Sequence, residues 1–135
     1  MRVAREISLG GLGLAMWVVC CATIEARADE APRPIATIER DQPIDFASEI
    51  APILKANCLA CHNQSKAESG LSLETRETIL AGGDGGPAVS VEHPLDSPLV
   101  ARARGVDSIM PPEENEVGAK PLTATELALV VRWIA

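Results

Sequence analysis

The sequence predicts a small all-α domain, and three observations point there. Phe46, Ile50, Ile53 and Leu54 fall at i, i+4, i+7 and i+8, and Leu127, Val130, Val131 and Ile134 fall at i, i+3, i+4 and i+7. Each set is the single apolar stripe of a helix buried on one side. Asp96-Ser97-Pro98 supplies a cap and then a proline, the order that opens a helix. With 135 residues the chain holds one domain, or one domain plus appendages. Its aromatic content is 2%, two Trp and one Phe with no Tyr. A core that poor in rings either packs with small aliphatics or is completed by something large and flat.

Residues 1–28 read as a secretory signal. Arg2 and Arg5 make a positive start, Ile7 to Ile24 is nearly all apolar or Gly, and Ala26-Arg27-Ala28 places cleavage before Asp29. An uncleaved anchor is the competing reading, because the apolar run is only at the lower edge of what spans a bilayer. The small-x-small site and the acids after it favour cleavage. A lipid-modified cysteine at Cys20 or Cys21 would want small residues where Val18-Val19 stand. No stable membrane insertion is expected once the segment is gone.

Residues 29–44 carry Pro32, Pro34 and Pro43 among charges and show no helical period, so a linker or loose arm is expected. The domain proper spans 45–135. Asp45 is the expected N-cap of its first helix, and Pro52 should kink that helix or mark its true start. Leu71-Ser72-Leu73 is a short extended piece. Thr75 to Ala81 forms a brief helix stopped by Gly82 and Gly83. The loop from Gly82 to Pro87 has no Lys-Ser or Lys-Thr after it and is no phosphate cradle. It is either a flexible turn or a place where backbone approaches something closely. A helix follows from Ser97-Pro98 to about Arg104, ended by Gly105. Met110-Pro111-Pro112 makes a stiff extended loop. Thr123 and Glu126 form a capping box for the last helix, which reaches the end of the sequence with no capping signal.

The charge excludes one class of partner. Twelve Lys and Arg against 19 Asp and Glu give −7, and nothing here neutralises a run of phosphates, so no nucleic acid is expected. Cleavage leaves 9 basic residues (without Arg2, Arg5 and Arg27) and 17 acidic ones (without Glu6 and Glu25), a charge of −8. It also leaves two cysteines, two histidines, one methionine and one tryptophan.

Cys58-Leu59-Ala60-Cys61-His62 is the C-x-x-C-H haem attachment signature. Two thiols three positions apart lie on one side of a helical turn and can add to the two vinyl groups of one porphyrin. The adjacent His62 is then carried under the iron, where an imidazole nitrogen can ligate it. A zinc site would need about four ligands. Cys58, Cys61, His62 and His93 are just enough in number, but the consecutive Cys61 and His62 make poor tetrahedral geometry. A dithiol redox motif normally follows a strand and opens a helix, whereas this one follows an apparent helix. A structural disulfide would leave His62 unexplained.

A sixth iron ligand then has two candidates. Met110 is the sole methionine left after cleavage, on a proline-flanked loop 48 positions beyond His62. Its location on a polar loop between helices argues against an ordinary core methionine. His93, in Glu92-His93-Pro94, is the rival, though a lone histidine beside a proline is more often a solvated loop residue.

The stretch from Phe46 to Ile134 resembles the planctomycete-type cytochrome c domain. The resemblance is carried by Ile50-Ala51-Pro52-Ile53-Leu54 ahead of Cys58 to His62, then Gly70-Leu71-Ser72-Leu73-Glu74-Thr75-Arg76. It continues through Gly82-Gly83, Gly86-Pro87, Ser97-Pro98-Leu99-Val100, Met110-Pro111-Pro112, Leu122-Thr123 and Arg132-Trp133-Ile134. It implies a small class I-like helical fold around one covalent haem c. It carries Cys58 and Cys61 over as thioether sites, His62 as proximal ligand and Met110 as distal ligand. It also implies that the domain opens a longer exported protein.

The function expected is one-electron transfer by an exported mono-haem domain of the periplasm or cell envelope, not catalysis. The acidic surface predicts a transient redox partner with a basic docking face. The alternatives are a peroxidase-like haem enzyme with an open iron site, or a haem-based redox or gas sensor serving further domains. Five- against six-coordinate iron separates these from the carrier.

Overall fold

A computed structural model describes residues 31–106 and 108–135. The proposed signal segment lies outside them. The described residues are helical and contain no strand. In chain order the α-helices are α1 (Ala51–Asn57), α2 (Arg76–Ala81), α3 (Pro98–Arg104) and α4 (Ala124–Ile134). A π-helical turn, Phe46–Ile50, runs directly into α1, and short 3-10 turns occupy Glu68–Gly70 and Pro94–Asp96. No helix among the described residues is long and apolar enough to cross a membrane.

Each helix start has a local chemical cause. Asp45 caps the first turn, its Oδ1 accepting the Ser48 N–H at 2.8 Å and the Ser48 hydroxyl at 2.6 Å. Those two bonds hold the exposed Asp45 carboxyl below its usual range. Pro52 sits in the first turn of α1, where a missing N–H costs no helical bond. Both expectations for this proline meet here, because α1 begins beside it and the turn before it is differently wound. The Ala51 N–H bonds five residues back, to Phe46 O. Thr75 and Thr78 form a capping box at α2, and Gly82, at φ 78°, ends it. Thr123 and Glu126 form another at α4, with Thr123 N–H donating to Glu126 Oε2 at 2.8 Å.

Ser97 departs from the sequence reading. It stands at the N-cap of α3 but makes no side-chain cap bond. Its fully buried hydroxyl instead accepts the Ser90 N–H at 2.9 Å. It serves the loop before the helix, not the helix.

The core is aliphatic. Ile50, Leu54, Leu73, Ile79, Val100, Leu127 and Val130 are almost wholly buried. α4 supplies the common wall, packing on the π-helical turn, on α3 and on the Pro94–Asp96 turn. At the crossing of the first and last helical segments the Phe46 and Trp133 rings lie 5.2 Å apart, tilted by 38°, within the favourable range for an aromatic pair.

Residues 31–44 have no regular structure, as their prolines predict, but they are not loose. Arg33 N–H donates to Arg104 O at 2.9 Å, Arg104 Nε returns a bond to Arg33 O at 3.0 Å, and Ala36 N–H donates to Ala124 O at 3.0 Å. The Arg132 guanidinium holds Arg40 O, and Arg40 pairs with Glu49. Ile35 and Ile44 pack on the core. The segment is a strap across α3 and α4, because its prolines leave backbone groups that only tertiary partners can satisfy.

The glycine loop is likewise a close-approach site. Asp84 N–H donates to Ser69 O at 2.8 Å, so residues 82–86 lie directly on residues 69–71. What glycine admits here is another part of the same backbone.

Thr123→Ala removes the acceptor for the Glu126 N–H while leaving the α4 core face intact. It should cost about 1 kcal/mol and lower the thermal midpoint by roughly 4–8 °C. Thr123→Ser should restore most of the loss in the same melting experiment.

Candidate functional site

The chemistry begins where α1 ends. Cys58 caps that helix, its N–H donating to Leu54 O at 2.8 Å, and the Leu59 N–H reaches the same oxygen at 3.0 Å. The Cys58 carbonyl in turn accepts two donors, the Cys61 N–H at 3.2 Å and the His62 N–H at 3.0 Å. Residues 58–62 are therefore one hydrogen-bonded turn continuing off a helix. Both thiols are free and half-buried.

His62 is gripped by the segment 71–73. The Leu73 N–H donates to His62 O at 2.8 Å, and His62 Nδ1 lies 3.4 Å from Leu71 O. A carbonyl can only accept, so this long bond places the imidazole proton on Nδ1. Nε2 then carries the lone pair, which makes it the nitrogen available to a metal. Ser72, between these two residues, has a buried hydroxyl with no hydrogen-bond partner among the described residues.

The turn after His62 is built by Asn63. Its Oδ1 accepts the Ser65 and Lys66 N–H groups, both at 2.8 Å, while its Nδ2 donates to Leu59 O at 2.8 Å. Lys66 Nζ comes within 3.6 Å of Cys61 Sγ and 2.8 Å of Glu68 Oε1. The bond to Glu68, with the charges of Cys61 and Glu68, moves the lysine up. The bond and charge of Lys66 move the Glu68 carboxyl down. All this is at the surface, where such a pair contributes little to stability.

The two cysteines differ in setting. Burial, and then the negative charge of Glu126, push the Cys58 thiol up to about 11. Cys61 is the one beside Lys66. Glu126 thus does two things, capping α4 and bringing negative charge toward Cys58.

The other two candidates lie elsewhere in the chain. Met110 follows α3, its N–H donating to Arg102 O at 2.9 Å, and its Met110-Pro111 peptide is cis. Its side chain is 40% exposed whereas Pro111 is buried. Met110 is therefore not a core methionine: the loop is anchored by its proline and presents its thioether outward. His93 is exposed, and its N–H donates to Ser90 Oγ at 3.3 Å. No hydrogen bond of the structure joins Met110 or His93 to the 58–62 turn. Nor do three or more His, Cys, Asp or Glu residues gather into a metal-binding group among the described residues. The four-ligand zinc arrangement is thus not assembled.

Leu71, Lys66 and Glu126 are the site residues that motif reading passes over. Leu71 acts through its carbonyl, which every residue type carries. Lys66 and Glu126 reach the cysteines only through the turn after His62 and the packing of α4. With both thiols free, Cys58 should alkylate slowly at neutral pH, since the thiolate is the nucleophile. Its rate should climb about tenfold per pH unit and level off only near pH 11, as followed by peptide mass mapping of iodoacetamide-treated protein.

No curated protein and no solved structure matches the chain. A family model described as planctomycete cytochrome C matches residues 58–114. That span opens at Cys58 and takes in the whole thiol–imidazole turn, the 71–73 grip, the glycine loop, α3 and Met110. A cytochrome c domain implies haem binding for electron transfer. Residues 58–114 of this chain are thus similar to the planctomycete cytochrome C family.

Proposed function

We propose that this chain is an exported c-type cytochrome domain that holds one covalent haem and passes single electrons. The observation that carries the reading is the 58–62 turn, lying inside the matched family span. Two free thiols and an imidazole whose Nδ1 is held by Leu71 O form one unit. That donor set fits haem c. Cys58 and Cys61 would hold the group by thioether bonds, each thiol adding S–H across a vinyl double bond with no net oxidation. His62 would ligate the iron through Nε2, and Met110 would supply a second iron ligand. The buried, unpartnered Ser72 hydroxyl beside the His62 grip is a polar atom left for a bound group.

Iron held by an imidazole and a thioether supplies one-electron chemistry. The protein's part is to keep both ligands in place, and for His62 the two bonds to Cys58 O serve that end. The proposed fold is the class I-like helical arrangement around the haem, with the Phe46–Trp133 crossing as its aliphatic-aromatic back wall. Glu113, Glu114 and Glu116, all exposed just after Met110, support a partner with a basic docking face. The signal segment supports export to the periplasm or cell envelope.

Two experiments test the reading. Cys58→Ala with Cys61→Ala should abolish covalent haem, since no other described cysteine can replace them. A haem-stained band that survives denaturing electrophoresis in the double variant would refute the attachment site. Met110→Ala should erase the weak near-infrared sulfur-to-iron charge-transfer band of the ferric protein, lower the potential and open the iron to carbon monoxide. His93→Ala should do none of these. Rapid carbon monoxide binding by the reduced parent would instead favour the open-site enzyme or sensor.

A further inference from the structure

We infer that the glycine loop positions the iron's imidazole ligand, with Gly83 as the positioning residue, by fixing where Leu71 presents its carbonyl to His62. The inference rests on the reading of His62 as that ligand.

The contacts form one chain. A Cβ at Gly83 would sit 2.6 Å from Ser69 O, 3.0 Å from Leu71 Cβ and 3.1 Å from Leu71 N. All three are shorter than normal non-bonded distances, and two of the three atoms are backbone, which cannot swing aside as a side chain does. Asp84 N–H fastens the same contact to Ser69 O at 2.8 Å. From the other side, a Cβ at Gly70 would meet Asp84 Oδ1 at 2.3 Å. The two segments thus lie at the closest approach that glycines allow, and Leu71 is the next residue along. Its N–H donates to Glu68 O at 3.2 Å and its carbonyl receives His62 Nδ1 at 3.4 Å.

That last bond is long, so a small displacement of Leu71 decides whether it exists. It matters chemically because a carbonyl accepting from Nδ1–H makes the imidazole a more basic ligand through Nε2. More basic ligation favours ferric over ferrous iron. Weakening the bond should therefore raise the potential.

The loop supplies its own control. Gly83 and Gly85 both have backbone angles open to alanine, since neither has a left-handed φ. They differ only in space, because nothing lies within 4 Å of a Cβ at Gly85. Haem-loaded full chain would be compared as parent, Gly83→Ala and Gly85→Ala. The readouts are solvent exchange of the His62 Nδ1 proton by NMR in the diamagnetic ferrous state, and the midpoint potential. Gly83→Ala should speed the exchange about tenfold, the worth of one net hydrogen bond, and move the potential upward. Gly85→Ala should match the parent in both. Equal exchange and potential in Gly83→Ala and parent, or an equal change in Gly85→Ala, overturns the inference.

One measurement needs no variant. In the parent, the His62 Nδ1 proton should exchange far more slowly than ring protons of the exposed His93. If it does not, the Leu71 bond is absent and the inference fails even if Gly83→Ala does not fold. A parent chain without covalent haem overturns the reading of the site as well. A haem-loaded parent with an unprotected Nδ1 proton overturns this inference alone.

Discussion

A single carbonyl oxygen organises the thiol–imidazole turn of this molecule. Cys58 O accepts from both Cys61 and His62. The two thiols and the imidazole are therefore displayed by one closed turn instead of a free loop. The turn is anchored behind by the Cys58 bond to Leu54 and ahead by the Leu73 bond to His62 O. Leu54 and Leu73 are core residues. Any movement of the turn must therefore disturb two buried leucines, and that is how a surface motif inherits the rigidity of the interior.

The interior is small, and much of its organisation comes from α4. This helix packs on the first and third helical segments, and its Glu126 both caps it and faces its charge toward Cys58. The strap formed by residues 31–44 then ties α3 and α4 together through Arg33, Ala36 and Arg40. It buries Ile35 and Ile44 in part, which helps a domain with few aromatic rings to cover its aliphatic core.

The Met110 loop is set by contrast in burial. Pro111 is inside and Met110 outside, so the loop after α3 is fixed by one residue and offers the next. The same economy recurs in the glycine loop. There Gly83 adds no atom of its own and so lets two backbones lie together behind the His62 grip.

Much of this was legible in the residues alone. The two apolar stripes defined the first and last helices, because a period near 3.6 leaves little else for such residues to be. Capping pairs located the starts of α2 and α4, since those bonds are made within four residues and need no tertiary partner. The C-x-x-C-H spacing is local for the same reason, and it lies inside the matched family span. What the chain could not declare were contacts made at long sequence separation through groups that every residue carries. The Leu71 carbonyl, the seating of the glycine loop on residues 69–71 and the strap on α3 and α4 are backbone contacts, and backbone has no letter in the sequence. Ser97 shows the limit at its clearest. Its place before Pro98 is that of a helix cap, but its buried hydroxyl serves the Ser90 N–H, a part-buried donor of the loop before the helix.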